Sequence, residues 1–174
     1  SEPPPTLLVV TVQREVADRI TAAPGQMSLL AVSVQFYGRA RRVTRIPAGA
    51  FTPAKVDSAV IRIDVYPPPE RPVQVPDVAW FFHVVRAGFS QRRKQIKNAL
   101  AAGLPLPMED VEAALQAAGV QPSRRAETLS LEEWGRVSEQ LAAKCANCPP
   151  LRSAGGDAVE GGKDLLAKTI RLHN

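Results

Sequence analysis

Two rhythms of apolar residues run along this chain, and the change between them falls at a cluster of prolines. In the first part, "TLLVVTVQ" (Thr6–Gln13) is a continuous apolar, β-branched run, the pattern of a strand buried on both faces of a sheet. "REVADRITA" follows directly and predicts a short helix, ended by Pro24 and Gly25. "MSLLAVSVQFY" (Met27–Tyr37) fits either helix or strand and is read as helix. "ARRVTRI" predicts a strand stopped by Pro47, and Asp57–Val65 a further strand in which Val60, Ile61, Ile63 and Val65 alternate loosely with polar residues. "YPPPERPVQVP" (Tyr66–Pro76) then places five prolines in eleven residues, a linker of polyproline character and the predicted domain boundary.

Past the prolines the period lengthens. Val78, Phe82, Val85 and Phe89 fall at i, i+4, i+7 and i+11, one face of a helix. "SQRRKQIKNALAAG" predicts a second helix, with Ser90 as its N-cap and Gly103 as its stop. "MEDVEAALQAAG" predicts a third and "SLEEWGRVSEQLAA" a fourth, with Ser130 and Glu133 spaced as a capping box. From Asn147 the regularity is lost, and "SAGGDAVEGGK" reads as a flexible tail. The expected organisation is therefore strands and helices over residues 1–66, a linker over 67–76, a helical domain over 77–144 and a tail over 145–174. Three strands are too few to close an α/β sheet, and the first has the character of a central strand that needs neighbours on both sides. The expected fold class is the C-terminal part of a doubly wound α/β domain, followed by a small all-α domain.

Charge sharpens this picture. Residues 1–108 carry 14 cations and 7 acids, and residues 109–174 carry 8 and 10, so the net +5 is a difference between +7 and −2. Arg19 to Val56 contains no acid but holds Arg39, Arg41, Arg42, Arg45 and Lys55; Val78 to Met108 again contains none and holds Arg86, Arg92, Arg93, Lys94 and Lys97. Two acid-free basic windows point to a polyanionic partner, most simply nucleic acid. In "GFSQRRKQIKNAL", Arg93 and Lys97 would be like charges at i, i+4, which phosphates would neutralise, and the helix N-terminus at Ser90 and Gln91 would also favour a phosphate. Phe89, Ile96 and Leu100 would pack inward while Arg92, Arg93 and Lys94 reach the partner.

The remaining residue types exclude several chemistries. No run reaches the ~18 apolar residues needed to cross a bilayer, and "SEPPP" lacks the basic and apolar regions of a signal peptide. Cys145 and Cys148 are the two cysteines, too few for a disulfide framework and fitting a reducing cytoplasm. Their C-x-x-C spacing has no second pair and no well-spaced histidine, so no metal site is expected and both are read as incidental. His83, Trp80 and Trp134 sit in helical patterns and are read as packing residues. There is no glycine-rich loop after a strand and no Ser-His-Asp order, so no catalytic residue is expected within this chain. One residue stands out: Phe51, an aromatic on a proline-stiffened loop, "AFTPAKVDS", just before Lys55.

"LLVVTVQREVADRITAAPG", "LAVSVQFY", "IPAGAFTPAKVDSAVIRI", "FSQRRKQIKNAL" and "RAETLSLEEW" occur in this order and together resemble the C-terminal half of the KsgA/RsmA-type small-subunit rRNA adenine dimethyltransferases, over roughly Thr6 to Ala143. The resemblance implies a Rossmann-like S-adenosylmethionine-dependent methyltransferase domain with a small helical C-terminal domain. It implies transfer of methyl groups from S-adenosyl-L-methionine to N6 of two adjacent adenosines in the 3′-terminal hairpin of small-subunit (16S) rRNA, on the 30S precursor, by a cytoplasmic monomer. It further implies that Phe51 forms a wall of the target-base pocket, because a paired and stacked base must be splayed out before N6 can react. Lys55, Arg41, Arg42, Arg86, Arg92, Arg93, Lys94 and Lys97 are the RNA-binding candidates that go with it. The family's cofactor loop, its ribose-holding acid and its N-L-P-Y motif have no match in this chain and are expected upstream, which would leave the chain inactive alone. Ala54 replaces a usual proline, and the segment after Lys144 has no family counterpart. The other expectations for such a chain are an RNA-binding module that has lost catalysis, or an adenine methylase of large-subunit rRNA.

Overall fold

Strand β3 (Ser58–Val65) pairs on both of its edges in the computed structural model of the chain, which describes residues 3–50 and 56–145. Its neighbours are β1 (Leu7–Gln13) and β2 (Gly38–Ile46), each antiparallel to it, in the order β1-β3-β2. Alternation along β3 explains its place: Ala59, Ile61 and Ile63 are buried on one face, while Arg62 and Asp64 stand on the other. Helix α1 (Arg14–Ile20) follows β1 without an intervening residue and brings Ala17 and Ile20 onto the buried face. Helix α2 (Leu29–Tyr37) adds Val34, and Leu8, Val10 and Val12 of β1 pack against the same core. The ambiguous Met27–Tyr37 run is helical from Leu29 because the Ser28 hydroxyl accepts the Ala31 N–H at 3.2 Å, a side-chain cap that a strand could not use.

Strand β1 corrects the expectation of burial on both faces. Among the described residues it has a partner on one edge only, and its second face is open, with Leu7 44% and Val9 61% exposed. The apolar alternation is present, but nothing in the described chain covers that half of it.

The chain divides into two compact units, Ser1–Gln74 with Ala126–Glu132, and Val75–Arg125 with Glu133–Asn174. The proline-rich stretch is held within the first as far as Gln74. It forms a short 3₁₀ turn at Pro68–Glu70, and the Gln74 side-chain amide donates to the carbonyls of Pro68, Pro69 and Arg71 at 3.1–3.2 Å. The Arg71 guanidinium lies 5.3 Å from the Phe36 ring centre and 5.0 Å from that of Tyr37, in cation–π range. Residues 126–132 close the same unit from far along the sequence. The Glu127 carbonyl accepts the N–H groups of Gly25 and Met27 at 2.9 and 3.1 Å. Gly25 has φ 107°, a left-handed conformation that a side chain would strain.

In the second unit the described elements are helices: α3 (Val78–Phe89), α4 (Ile96–Gly103), α5 (Met108–Ala117) and α6 (Leu131–Lys144), whose first two residues fall in the first unit. Asp77 caps α3 by accepting the Trp80 N–H at 3.0 Å. The buried stripe of α3 is wider than the predicted one, because Phe81 and Val84 are fully buried beside Phe82 and Val85. Trp134 is fully buried with its ring 5.5 Å from that of Phe89, and Trp80 donates its indole N–H to the Ser138 carbonyl at 2.9 Å, with half-buried His83 beside it.

Helix α4 starts at Ile96 and not at Ser90, which corrects the predicted cap. The Ser90 hydroxyl and N–H both bond back to the Ala87 carbonyl, at 2.6 and 3.2 Å, and so finish α3. Residues 91–94 then form a turn. Three consecutive cations are poor at a helix N-terminus, where the macrodipole is already positive. Arg93 and Lys97 are therefore not successive turns of one helix, and the phosphate site expected at Ser90 and Gln91 has no helix start to supply it.

Close packing of Gly88 gives a test. A Cβ there would meet the Trp134 ring at 2.4 Å and Ile96 at 3.0 Å, whereas one at Gly49 would meet nothing within 4 Å. Gly88→Ala should lower the urea midpoint, followed by tryptophan fluorescence, by the equivalent of about 1–3 kcal/mol. Gly49→Ala should stay within about 0.5 kcal/mol of the parent.

Candidate nucleic-acid interface

The arginines of β2 are not as free as their acid-free stretch of sequence suggests. Pairing with β3 brings Asp64 to Arg41 (Nε to Oδ2, 3.9 Å), α1 brings Asp18 to Arg42, and the start of the β3 segment brings Asp57 to Arg45. Asp64 also accepts Nε and Nη2 of Arg62 at 2.9 and 2.7 Å. The acids come from outside the window in sequence and from across it in space. Arg41 and Arg42 keep 58% and 39% of their side-chain surface exposed, so each pair is a surface ion pair, weak enough for a phosphate to compete with.

Both carboxyls respond to these partners. The hydrogen bond from Arg45, then that from the Ala48 N–H, and the charges of Arg45 and Arg14 hold Asp57 below its ordinary value of 3.8 against a smaller opposing effect of burial. The hydrogen bond from Arg62, helped by the charges of Arg62, Arg41 and Arg39, does the same for Asp64.

In the second unit the candidates separate into two kinds. Arg86 on the last turn of α3, and Arg92, Arg93 and Lys94 on the turn before α4, are exposed. No carboxylate of the described residues lies within ion-pair distance of any of the four. Lys97 is different: it is half-buried and its Nζ pairs with Glu112 at 2.7 Å, fastening α4 to α5. Lys97 is thus already ion-paired, as Arg41 and Arg42 are, unlike the four exposed cations beside it. The turn itself is framed by backbone bonds from Lys94 N–H to Gln91 and from Ile96 N–H to Arg124, at 2.9 and 2.6 Å. Arg124 in turn grips Glu133 with two nitrogens at 2.6 and 3.1 Å.

Phe51 and Lys55 lie outside the described residues, as does Cys148. Cys145, just past α6, is disulfide-bonded and so is not the incidental thiol expected. Among the described residues no three of His, Cys, Asp and Glu gather in a way that could hold a metal ion, and no helix is long and apolar enough to cross a membrane. The residue that sequence reasoning passed over is Asp57. The available signal was its position as the first carboxylate after a long basic stretch.

The family model for ribosomal RNA adenine dimethylase matches residues 2–143. The chain belongs to that family. Among dimethylase-family relatives, the ribosomal RNA small subunit methyltransferase A of Dehalococcoides mccartyi strain 195 is 47% identical over 135 residues, which is 77% of this chain and 46% of that protein. The same-named protein of Clostridium acetobutylicum is 43% identical over 137 residues, covering 77% of this chain and 49% of its own length. The chain thus spans about half the length of the curated relatives it matches. In fold it is similar to the 23S rRNA methyltransferase ErmE, with a TM-score of 0.59 at 26% identity over 79% of this chain and 55% of that one. A dimethyladenosine transferase from Plasmodium falciparum shares the fold at a TM-score of 0.63 and 17% identity, over 80% of this chain and 58% of its own. The dimethylase family and these neighbours agree on an α/β methyltransferase fold.

The depressed Asp64 carboxyl yields an acid-limb prediction. A carboxyl held low in the fold contributes stability above its unfolded value and loses it as pH falls toward the folded one. Asp64→Asn should lower the urea midpoint at neutral pH, and the gap from the parent should close as pH drops below 3.8. A gap that stays constant into strong acid would show that the carboxylate charge is not what Arg62 holds.

Proposed function

We propose that this chain is the C-terminal part of an S-adenosylmethionine-dependent rRNA adenine N6-dimethyltransferase acting on two adjacent adenosines in the 3′-terminal hairpin of small-subunit rRNA. The observation that carries the choice of subunit is the contrast in identity: 43–47% to the proteins named small subunit methyltransferase A, against 26% to the 23S enzyme. The open side of β1 supports the view that the sheet continues. Its unpaired edge carries no charge, bulge or proline of the kind that protects a natural edge, and Leu7 and Val9 stand in solvent. In this reading the helices after Gln74 form a small all-α domain, the protein works as a cytoplasmic monomer on the 30S precursor, and Phe51 is the aromatic wall for the target base.

The described residues do not fit the methyl donor. Strand β1 runs straight from Gln13 into α1 at Arg14, leaving no glycine loop in which a backbone could cradle S-adenosylmethionine. In this reading the cofactor and the groups that hold the adenine amino group belong to the other part of the protein. This chain contributes substrate recognition: the splayed base rests on Phe51, Lys55 steers its backbone, and Arg86, Arg92, Arg93 and Lys94 neutralise phosphates. Arg41 and Arg42 join them by exchanging a weak surface carboxylate for a phosphate.

Two measurements test this. Binding of a labelled RNA hairpin to the chain should weaken linearly in log salt, and replacing Arg92, Arg93 and Lys94 by Ala should flatten the slope by about 0.7–0.9 for each phosphate left unneutralised. An unchanged slope would mean that those cations face only water. In the chain extended to the length of its relatives, Phe51→Ala should slow methylation by about tenfold to a hundredfold, the value of ~1–3 kcal/mol of base stacking. Phe51→Trp should retain much of the activity; if Phe51→Leu does so equally, the π-face is not used.

A further inference from the structure

Arg71 is held differently from the other arginines of the first unit. Its guanidinium lies 5.3 Å from the Phe36 ring centre and 5.0 Å from that of Tyr37, the last two residues of α2. Arg41, Arg42, Arg45 and Arg62 each have a carboxylate partner. No carboxylate of the described residues lies within ion-pair distance of Arg71, not even that of Glu70 beside it in sequence. Its Nε is buried and has no hydrogen-bond partner among the described residues.

Holding the chain together does not account for this arrangement. The Gln74 amide already ties the stretch after the prolines, with bonds to the carbonyls of Pro68, Pro69 and Arg71. Taking a guanidinium partly out of water with neither a counter-charge nor an acceptor for Nε is destabilising. The rings offer no negative charge in return. Burial holds the Tyr37 hydroxyl above its ordinary value of 10.0, against the smaller opposing effect of the Arg71 charge, so the phenol stays neutral. What the rings do provide is orientation. A cation–π contact takes up no hydrogen-bond acceptor, so the guanidinium keeps the fork of N–H groups that matches two oxygens of a phosphate. A fork fixed beforehand also loses less side-chain freedom when it binds.

Its place in the fold favours a nucleic-acid phosphate over a small anion. Tyr37 runs directly into Gly38, the first residue of β2, and its carbonyl accepts the Tyr66 N–H at 2.9 Å. Arg39 and Arg41 follow on that strand and are exposed. Arg71 thus adds a cation to the start of a basic strand, from a part of the sequence where Glu70 and the prolines conceal it.

We propose that Arg71 binds a backbone phosphate of the RNA substrate, as a fork set in place by Phe36 and Tyr37 at the start of β2. The proposal rests on the methyltransferase reading given above. It differs from the roles given to Arg41 and Arg42, because Arg71 has no carboxylate to exchange.

Binding of a labelled RNA hairpin to the chain, measured across a range of salt, tests this with two variants. Arg71→Met covers the rings without a charge, and the slope of log K against log salt should flatten by about 0.7–0.9, the effect of one phosphate. Arg71→Lys keeps the charge over the rings but not the fork. It should keep the slope and bind about twofold to tenfold more weakly, the effect of one hydrogen bond. A lower urea midpoint in Arg71→Met with the parent's slope would show a merely structural residue and overturn the proposal, as would equal affinity in Arg71→Lys and the parent. Arg71→Lys decides alone if Arg71→Met does not fold. If inorganic phosphate raises the urea midpoint of the parent but not of Arg71→Met, while their RNA slopes agree, the fork takes small phosphates and the RNA assignment is overturned. A parent chain whose RNA binding does not depend on salt would overturn the functional reading and the proposal with it.

Discussion

Strand β3 is hydrogen-bonded along both edges, and the rest of the first unit follows from that double pairing. A one-residue slip of a strand so placed turns every side chain to the opposite face. For Ser58–Val65 such a slip would drive Arg62 and Asp64 into the layer held by Ala59, Ile61 and Ile63. Burying that pair without compensation would cost far more than the pair returns at the surface. The register is thus enforced by the charges as much as by the isoleucines. Strand β2 adapts to it: Arg41, opposite Arg62, falls on the face of Asp64, Arg42, opposite Ile61, falls on the helix side within reach of Asp18, and an irregularity between Arg42 and Thr44 leaves Val43 outside.

That geometry redistributes the charge seen in the sequence. The basic stretch over Arg39–Lys55 looked like one uninterrupted block, and the one over Arg86–Lys97 looked like its equal. In three dimensions they differ. The first is threaded by carboxylates from α1 and β3, and the second keeps four exposed cations and turns only Lys97 inward. A partner that approaches the first stretch meets arginines already oriented by weak bonds, and at the second it meets exposed cations that no carboxylate of the described residues holds.

The periods of two and of 3.6 made most elements legible: Ser58–Val65, Arg14–Ile20 and the helices at Val78 and Met108 start or stop within a residue or so of the sequence reading. What failed had physical causes that no window of sequence contains. The burial promised by Leu7 and Val9 depends on neighbours that the described chain does not supply. The cap assigned to Ser90 depended on which way its hydroxyl would turn, and it turns back to Ala87. The tethering of Arg42 and Arg45 depends on strand register and on α1 landing beside β2. For the candidate site, the cations at 86 and 92–94 were legible because exposure follows from a basic run between apolar helices. The role of Asp57 was not, since it is made of bonds to backbone that the sequence does not display.

The return of residues 126–132 to the first unit bears on how the chain is made. Gly25 and Met27 lie far upstream of α6, yet the carbonyl that satisfies their N–H groups belongs to Glu127, and Ala126 and Leu129 are buried with it. A ribosome delivers the chain in order, and whole domains generally fold as they emerge. Here the sheet and its two helices emerge before residues 126–132 and stay incomplete until α3, α4 and α5 have been translated. For that interval the amides of Gly25 and Met27 have only water for a partner, and the carbonyl that replaces it arrives three helices later.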